Sequence, residues 1–147
     1  MVRLILLLCV FSFVSFAKDA GSMGALNIAG SGMLLQKYRL RIIAENIANV
    51  STFMTDRGEP YRKKYVLVVP DKNGARAAGI MESDAAFGQI MDASHVFADE
   101  HGVLRTPNFE LNDEMVTLTY TNLLYEANTT AFKASRQMFQ NTLELLK

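Results

Sequence analysis

The chain contains no tryptophan, one cysteine and three prolines in 147 residues. Neither charge is in excess, with 15 Lys and Arg against 15 Asp and Glu. Each shortage excludes something. A lone cysteine, Cys9, closes no internal disulfide and forms no CxxC metal or redox pair. Balanced charge argues against a nucleic-acid binder, which needs a basic surface to displace counterions from phosphates. No GxSxG, P-loop or GxGxxG motif occurs. Asp92, His95, Asp99 and His101 could be tried as metal ligands, but the histidines lie six apart in a loop-like segment, without helical HExxH spacing. No catalytic activity, cofactor or metal is expected.

Helix breakers are confined to the middle. All three prolines (Pro60, Pro70, Pro107) and eight of nine glycines lie between Gly24 and Pro107. From Asn108 to Lys147 there are forty residues without either, and from Met33 to Arg57 twenty-five more. Two breaker-free arms therefore flank a middle rich in turn residues. The expected fold is α+β: two long terminal helices pairing as a coiled coil around a small irregular β region with loops.

Residues 1–22 stand apart. Arg3, the apolar run Leu4 to Phe11, and small residues at Ser15 and Ala17 have the form of a secretory signal cleaved after Ala17. The other reading is that translation starts at Met23. The apolar run is shorter than the ~20 residues a membrane span needs, and no span is expected in the mature chain.

Residues 23–54 form the expected N-terminal arm. Leu26, Ala29, Met33, Gln36, Leu40, Ile43, Ile47 and Val50 recur at steps of three and four, a heptad-like stripe with one polar member. The helix should fade near Asn49, ahead of Gly58-Glu59-Pro60. In residues 55–111, strands are expected at Tyr65–Val69, Gly79–Ser83 and Ser94–Ala98, with a turn at Asp71–Gly74. Residues 112–147 form the C-terminal arm. Apolar pairs recur every seven residues: Leu124-Tyr125, Ala131-Phe132, Met138-Phe139 and Leu145-Leu146. Asn112 or Asp113 is the expected cap, with Glu114 favourable in the first turn. A helix of roughly 50 Å, at ~1.5 Å per residue, cannot bury its face in so small a middle. It needs the other arm or neighbouring copies.

Ala44-Glu45-Asn46-Ile47-Ala48-Asn49 followed by Thr52, with Ile28 to Met33 and Gln36 to Leu40 upstream, resembles the N-terminal signature of bacterial flagellar rod and hook proteins. Pro60 to Val66, Ala98-Asp99, Gly102, Pro107-Asn108, Glu114-Met115-Val116 and Tyr125 to Asn128 resemble, in order, the later blocks of the proximal rod members of that family. The likeness covers residues 24–147, too short for the inserted domains of distal rod and hook proteins. Chains of this family begin a few residues before the Ile-Ala-Gly-Ser stretch, where Met23 sits, and lack a cleavable signal. The turn block also carries Val96 where the family commonly has proline.

The resemblance implies a non-enzymatic subunit of the periplasmic rod of the flagellar basal body, carrying motor torque. Its implied partners are copies of itself, other rod proteins and the flagellar type III export apparatus. The other function considered is a periplasmic helical adaptor or chaperone. The arms are expected to be marginal alone and ordered by assembly. Expected subunit-interface residues are Leu40, Ile43, Asn46, Ile47, Asn49 and Val50 in the first arm, and Leu124, Tyr125, Asn128, Phe132, Met138 and Phe139 in the second. Arg62, Lys63 and Lys64 form a basic cluster, read either as a solvated strand edge or as a patch for a neighbour's acidic loop such as Asp99-Glu100. Asn46 and Asn49 either cap the helix end or bond across subunits. Asn128, mid-helix, is either exposed or sets register at the seam.

Overall fold

A computed structural model describes residues 22–145; the signal-like segment lies outside them. The element order is α1 (Ser22–Ala48), β1 (Lys64–Asp71), β2 (Gly74–Glu82), β3 (Gly88–Met91), β4 (Val103–Thr106) and α2 (Leu111–Glu144). Two long helices flank two separate antiparallel hairpins, β1–β2 and β3–β4, so the α+β architecture stands.

The central element is α1. One face packs on α2 and another on the β1–β2 hairpin. The helices run antiparallel: Gly30 lies against Phe132, Gly32 against Asn128 and Asn46 against Glu114. The hairpin also runs back along α1. Its base meets Asn46 through Lys64, and its tip meets Ser31, whose Oγ donates to the Asn73 carbonyl at 2.6 Å. Gly74 closes that turn with φ +111°, a conformation open to glycine and strained for residues with a Cβ.

Several local expectations change. Ser94–Ala98 is a run of turns, not a strand. Asp92 Oδ1 accepts from the Ser94 amide (3.1 Å) and hydroxyl (2.6 Å), and successive turns close from His95 N to Asp92 O and from Ala98 N to His95 O. A short acidic side chain bonding its own backbone two residues on competes with strand pairing. The third strand is instead Gly88–Met91, paired with Val103–Thr106. The second begins at Gly74, five residues before the expected Gly79. The first strand runs past the expected Val69 to Asp71, with Pro70 inside it opposite Ala75, tolerable because this hairpin has only edge strands. The cap of α2 is Glu110, in extended conformation without a side-chain cap bond, so neither Asn112 nor Asp113 serves. The end of α1 at Ala48 falls where the turn signals place it.

The two apolar series suggest Leu40, Ile43, Ile47 and Val50 packed against Leu124, Phe132, Met138 and Phe139, and the register of the helix pair differs from that. An antiparallel pair sets Gly30 and Gly32, not Leu40 to Val50, against Asn128 and Phe132, while the end of α1 meets the start of α2. Among the described residues, no helix is long and apolar enough to cross a membrane.

Candidate functional site

Two features of this fold bear on function: a polar junction that fixes the three long elements, and the apolar helix edges it leaves uncovered.

At the junction Asn46 is 1 % exposed. Its Nδ2 donates to the Lys64 carbonyl (3.0 Å) and to Glu114 Oε2 (3.1 Å); its Oδ1 accepts from the Tyr61 hydroxyl and the Lys64 amide, both at 3.0 Å. One amide thus uses its full capacity to tie α1 to β1 and α2. Buried Glu114 places Oε1 2.5 Å from Lys63 Nζ. Burial, and then the carboxylates of Glu45, Glu82 and Glu114, push the Tyr61 hydroxyl up to about 12. Asn49 bonds the Glu45 carbonyl and receives the Thr52 hydroxyl. Asn49 thus meets a free carbonyl at its own helix end, whereas the Asn46 amide is engaged by Tyr61, β1 and α2.

The basic cluster is engaged within the chain. Arg62 pairs with Glu59 at 3.1 Å and lies 4.3 Å from the Phe87 ring; Lys63 pairs with Glu114, and Lys64 with Glu45 at 2.6 Å. The hydrogen bond from Arg62 holds Glu59 below the ordinary carboxylate range, and the same bond raises Arg62. Each member of the cluster therefore has an acid of its own chain.

Along α2, Glu114, Thr121, Asn128 and Ser135 recur every seven residues at the inner face. Four residues after each stand Leu118, Tyr125, Phe132 and Phe139, all half-buried. The seam alternates polar or small with bulky side chains, and the sequence reading followed only the bulky series. Thr121 and Asn128 satisfy themselves on their own helix, donating to the carbonyls of Thr117 and Leu124. Across the seam, Gln36 is buried, and its Oε1 meets no hydrogen-bond partner among the described residues. The missed signal was the seven-residue recurrence of Glu, Thr, Asn and Ser.

The other expected positions divide. Ile43 is buried; Leu40, Ile47, Val50 and Leu124 are half-buried. Met138 is 58 % exposed and outside the seam; in the pairs Ala131-Phe132 and Met138-Phe139 the second residue is half-buried and the first exposed. Met115, Val116, Tyr120 and Leu123 share this exposure on α2, as do Met23, Ile28 and Leu34 on α1.

No protein-family model matches the chain. Curated relatives do. The flagellar basal-body rod protein FlgC of Agrobacterium fabrum is 33% identical over 130 residues, spanning 84% of this chain and 94% of its own. The FlgC of Borreliella burgdorferi is 30% identical over 150 residues (86% and 99%), and that of Aquifex aeolicus 32% over 129 (84% and 96%). This chain belongs to the FlgC family of flagellar basal-body rod proteins. It is a structural component of the flagellar basal body, and the relatives' names are those of rod parts rather than enzymes. Relatives that are rod proteins imply assembly with other rod components, and the exposed apolar helix edges are surface available for it. The block Ala44 to Asn49, which carried the resemblance, gains a structural meaning too, since Asn46 is the hub of the junction.

Proposed function

We propose that this chain polymerises through the free apolar edges of α1 and α2 into the rod, among copies of itself and other rod proteins, and that the resulting stack transmits motor torque. The carrying observation is the uncovered row Met115, Val116, Tyr120, Leu123 and Met138 on a 34-residue helix. A self-sufficient soluble domain rarely leaves so long an apolar strip in water. Fully covering one such side chain is worth about 1.5–3 kcal/mol, and these are already part-covered. One edge therefore supplies on the order of 5 kcal/mol, comparable to the low end of the cost of association. A single pairwise contact would be weak. A stack that engages both helix edges of every subunit would hold, because later contacts form without a fresh loss of freedom.

In this reading Leu124, Tyr125, Met138 and Phe139 lie on or beside the assembly edge, together with the half-buried Leu40, Ile47, Val50 and Phe132. Ile43, Asn46, Asn49, Asn128 and the Arg62–Lys64 cluster act from inside the chain, by fixing the shape that is presented. Delivery as an unfolded chain through the flagellar export apparatus completes the proposal; a single cysteine leaves no internal disulfide to obstruct threading.

The test is Val116→Asp with Leu123→Asp in the only gene copy. Both positions are exposed, so helix content of the purified chain should be unchanged, while the chain should be missing from isolated basal bodies and motility lost. Normal motility with both charges in place refutes the assembly edge.

A further inference from the structure

The charges are not evenly spread along the chain. Residues 77–104 carry five acids (Glu82, Asp84, Asp92, Asp99, Glu100) and no Lys or Arg. Opposed to this, the middle of α1 carries Lys37, Arg39 and Arg41 within five residues. Two surface features coincide with these charges.

The first is a groove of about 360 Å³ between α1 and β2, lined by Leu34, Ile42, Val66 and Ile80. Arg41 and Arg76 also line it, and neither makes an ion pair among the described residues. The second is the loop between β3 and β4. Its Val96 side chain is 89 % exposed, beside exposed Phe97 and Glu100. This loop has a set shape. Asp92 Oδ1 holds Ser94; Asp99 Oδ1 accepts from the His101 and Val103 amides at 2.9 and 2.8 Å. Gly102 takes φ +75°, and a Cβ there would stand 2.9 Å from Ala93 Cβ. The His95 ring sits between Phe53 and Phe97, with centroids at 5.1 and 5.7 Å. A tip already shaped loses little freedom on docking.

We propose that the Val96–Phe97 tip of one copy seats in the α1–β2 groove of the next copy, with Glu100 meeting Arg41 and Arg76. The occupant is fixed by charge complementarity: an apolar tip beside acids faces an apolar groove beside unpaired cations, on one and the same chain. The two patches cannot meet within one molecule. The loop is anchored at Phe53, beyond the end of α1, whereas the groove lies over Ser31 to Ile42. The end of α1 alone stands about 9 Å beyond Ile42, at ~1.5 Å per residue over the six residues to Ala48, and Phe53 follows that end. A contact between two different patches passes from copy to copy and builds a ring or an open stack rather than a two-fold dimer. The inference rests on the rod reading above and specifies one of its contacts.

The test uses the full chain in cells, with Cys9→Ser and the pair Val96→Cys and Ala78→Cys, Ala78 being an exposed residue of the groove. Basal bodies are isolated and treated with a short bismaleimide. The expected result is a ladder of dimers and higher multimers of this chain, absent from either single-cysteine variant. Incorporation without a ladder, or a cross-link to a different rod protein, overturns the docking and leaves the rod reading intact. Absence of the wild-type chain from basal bodies would instead sink the rod reading. Charge exchange decides the matter should the cysteine pair fail to incorporate. Arg41→Glu and Glu100→Lys should each lower incorporation about tenfold, and together restore it to within about twofold of wild type. Failure of the double exchange to exceed the single variants overturns the proposal.

Discussion

Replacing Gly32 by alanine tests whether the two helices are packed in the isolated chain. A Cβ at Gly32 would stand 2.6 Å from Asn128 Oδ1, 2.9 Å from its Cγ and 3.0 Å from its Nδ2. Since the Cγ itself is too close, turning the amide about its last bond gives no relief. Asn128 must change its first rotamer and give up the 2.9 Å bond from Nδ2 to the Leu124 carbonyl. Overpacking of this kind costs about 1–3 kcal/mol. Against it, alanine in a helix interior is better than glycine by about 1 kcal/mol. The net expectation is a loss of roughly 1 kcal/mol, a downward shift of about 0.5 M in the urea midpoint at an m-value near 2 kcal/mol/M. In an Asn128→Ala background the obstruction is gone, and the same change should stabilise by about 1 kcal/mol. The coupling between the two positions is then about 2 kcal/mol, within the range seen for residues in contact. The assay is urea unfolding of the four proteins followed by helical circular dichroism. Stabilisation of about 1 kcal/mol in both backgrounds would show that the helices do not touch at this point in the free chain. That outcome would support the expectation that assembly, not the chain itself, orders the arms.

Other outcomes are expected at the junction and the loop. Lys63→Glu faces buried Glu114 with a second acid and should lower chain stability by about 3 kcal/mol, read as a drop in urea midpoint; an unchanged midpoint would show that the ion pair does not form. This differs from the behaviour of a free surface patch, where reversal would spare the monomer. The difference in absorbance titration between wild type and Tyr61→Phe should show one phenol with a midpoint of about 12. Because the folded value lies above the ordinary 10.0, its stabilisation is full below about pH 10 and is lost as pH rises towards 12; a midpoint near 10 refutes the burial. The Ser94 hydroxyl holds Asp92, and the Val103 amide holds Asp99, below their ordinary 3.8. Their contribution is therefore present above about pH 4 and lost as pH falls through the lowered values. Carbon-detected NMR titration should find both carboxyls under 3.8; ordinary values would mean the loop is not held by them.

The architecture was legible because it depends on absences that act over long distances. Forty residues without proline or glycine after Pro107 can hardly avoid a helix, and the end of α1 followed from its asparagines and the glycine and proline beyond. The inner edge of α2 was half legible. Adjacent apolar pairs every seven residues mark a helical face but leave open which member turns inward, and only packing puts Phe132 inside and Met138 outside. The junction was harder to see. Asn46, Tyr61, Lys63 and Glu114 are separated by up to 68 residues, and each is individually ordinary for a surface. Their burial depends on an antiparallel register that period counting does not supply. The β3–β4 hairpin was missed because Gly88–Met91 is short and only Ile90 is β-branched, whereas Val96 and Phe97 look strand-like but stand behind an aspartate that turns the backbone.

The side-chain bonds that tie α1 to both β1 and α2 gather where α1 ends, and Ser31 to Asn73 is a separate tie to the hairpin tip. Towards Ser22 the same helices touch through glycine, small side chains and single aromatic rings. In the proposed rod, parts tied in this way would yield less at the clamped extremity than at the other, like spokes gripped at the hub. A shaft assembled from them would not twist uniformly: strain under load would concentrate in bands near the softer tips, and that is where an overloaded shaft would first give way.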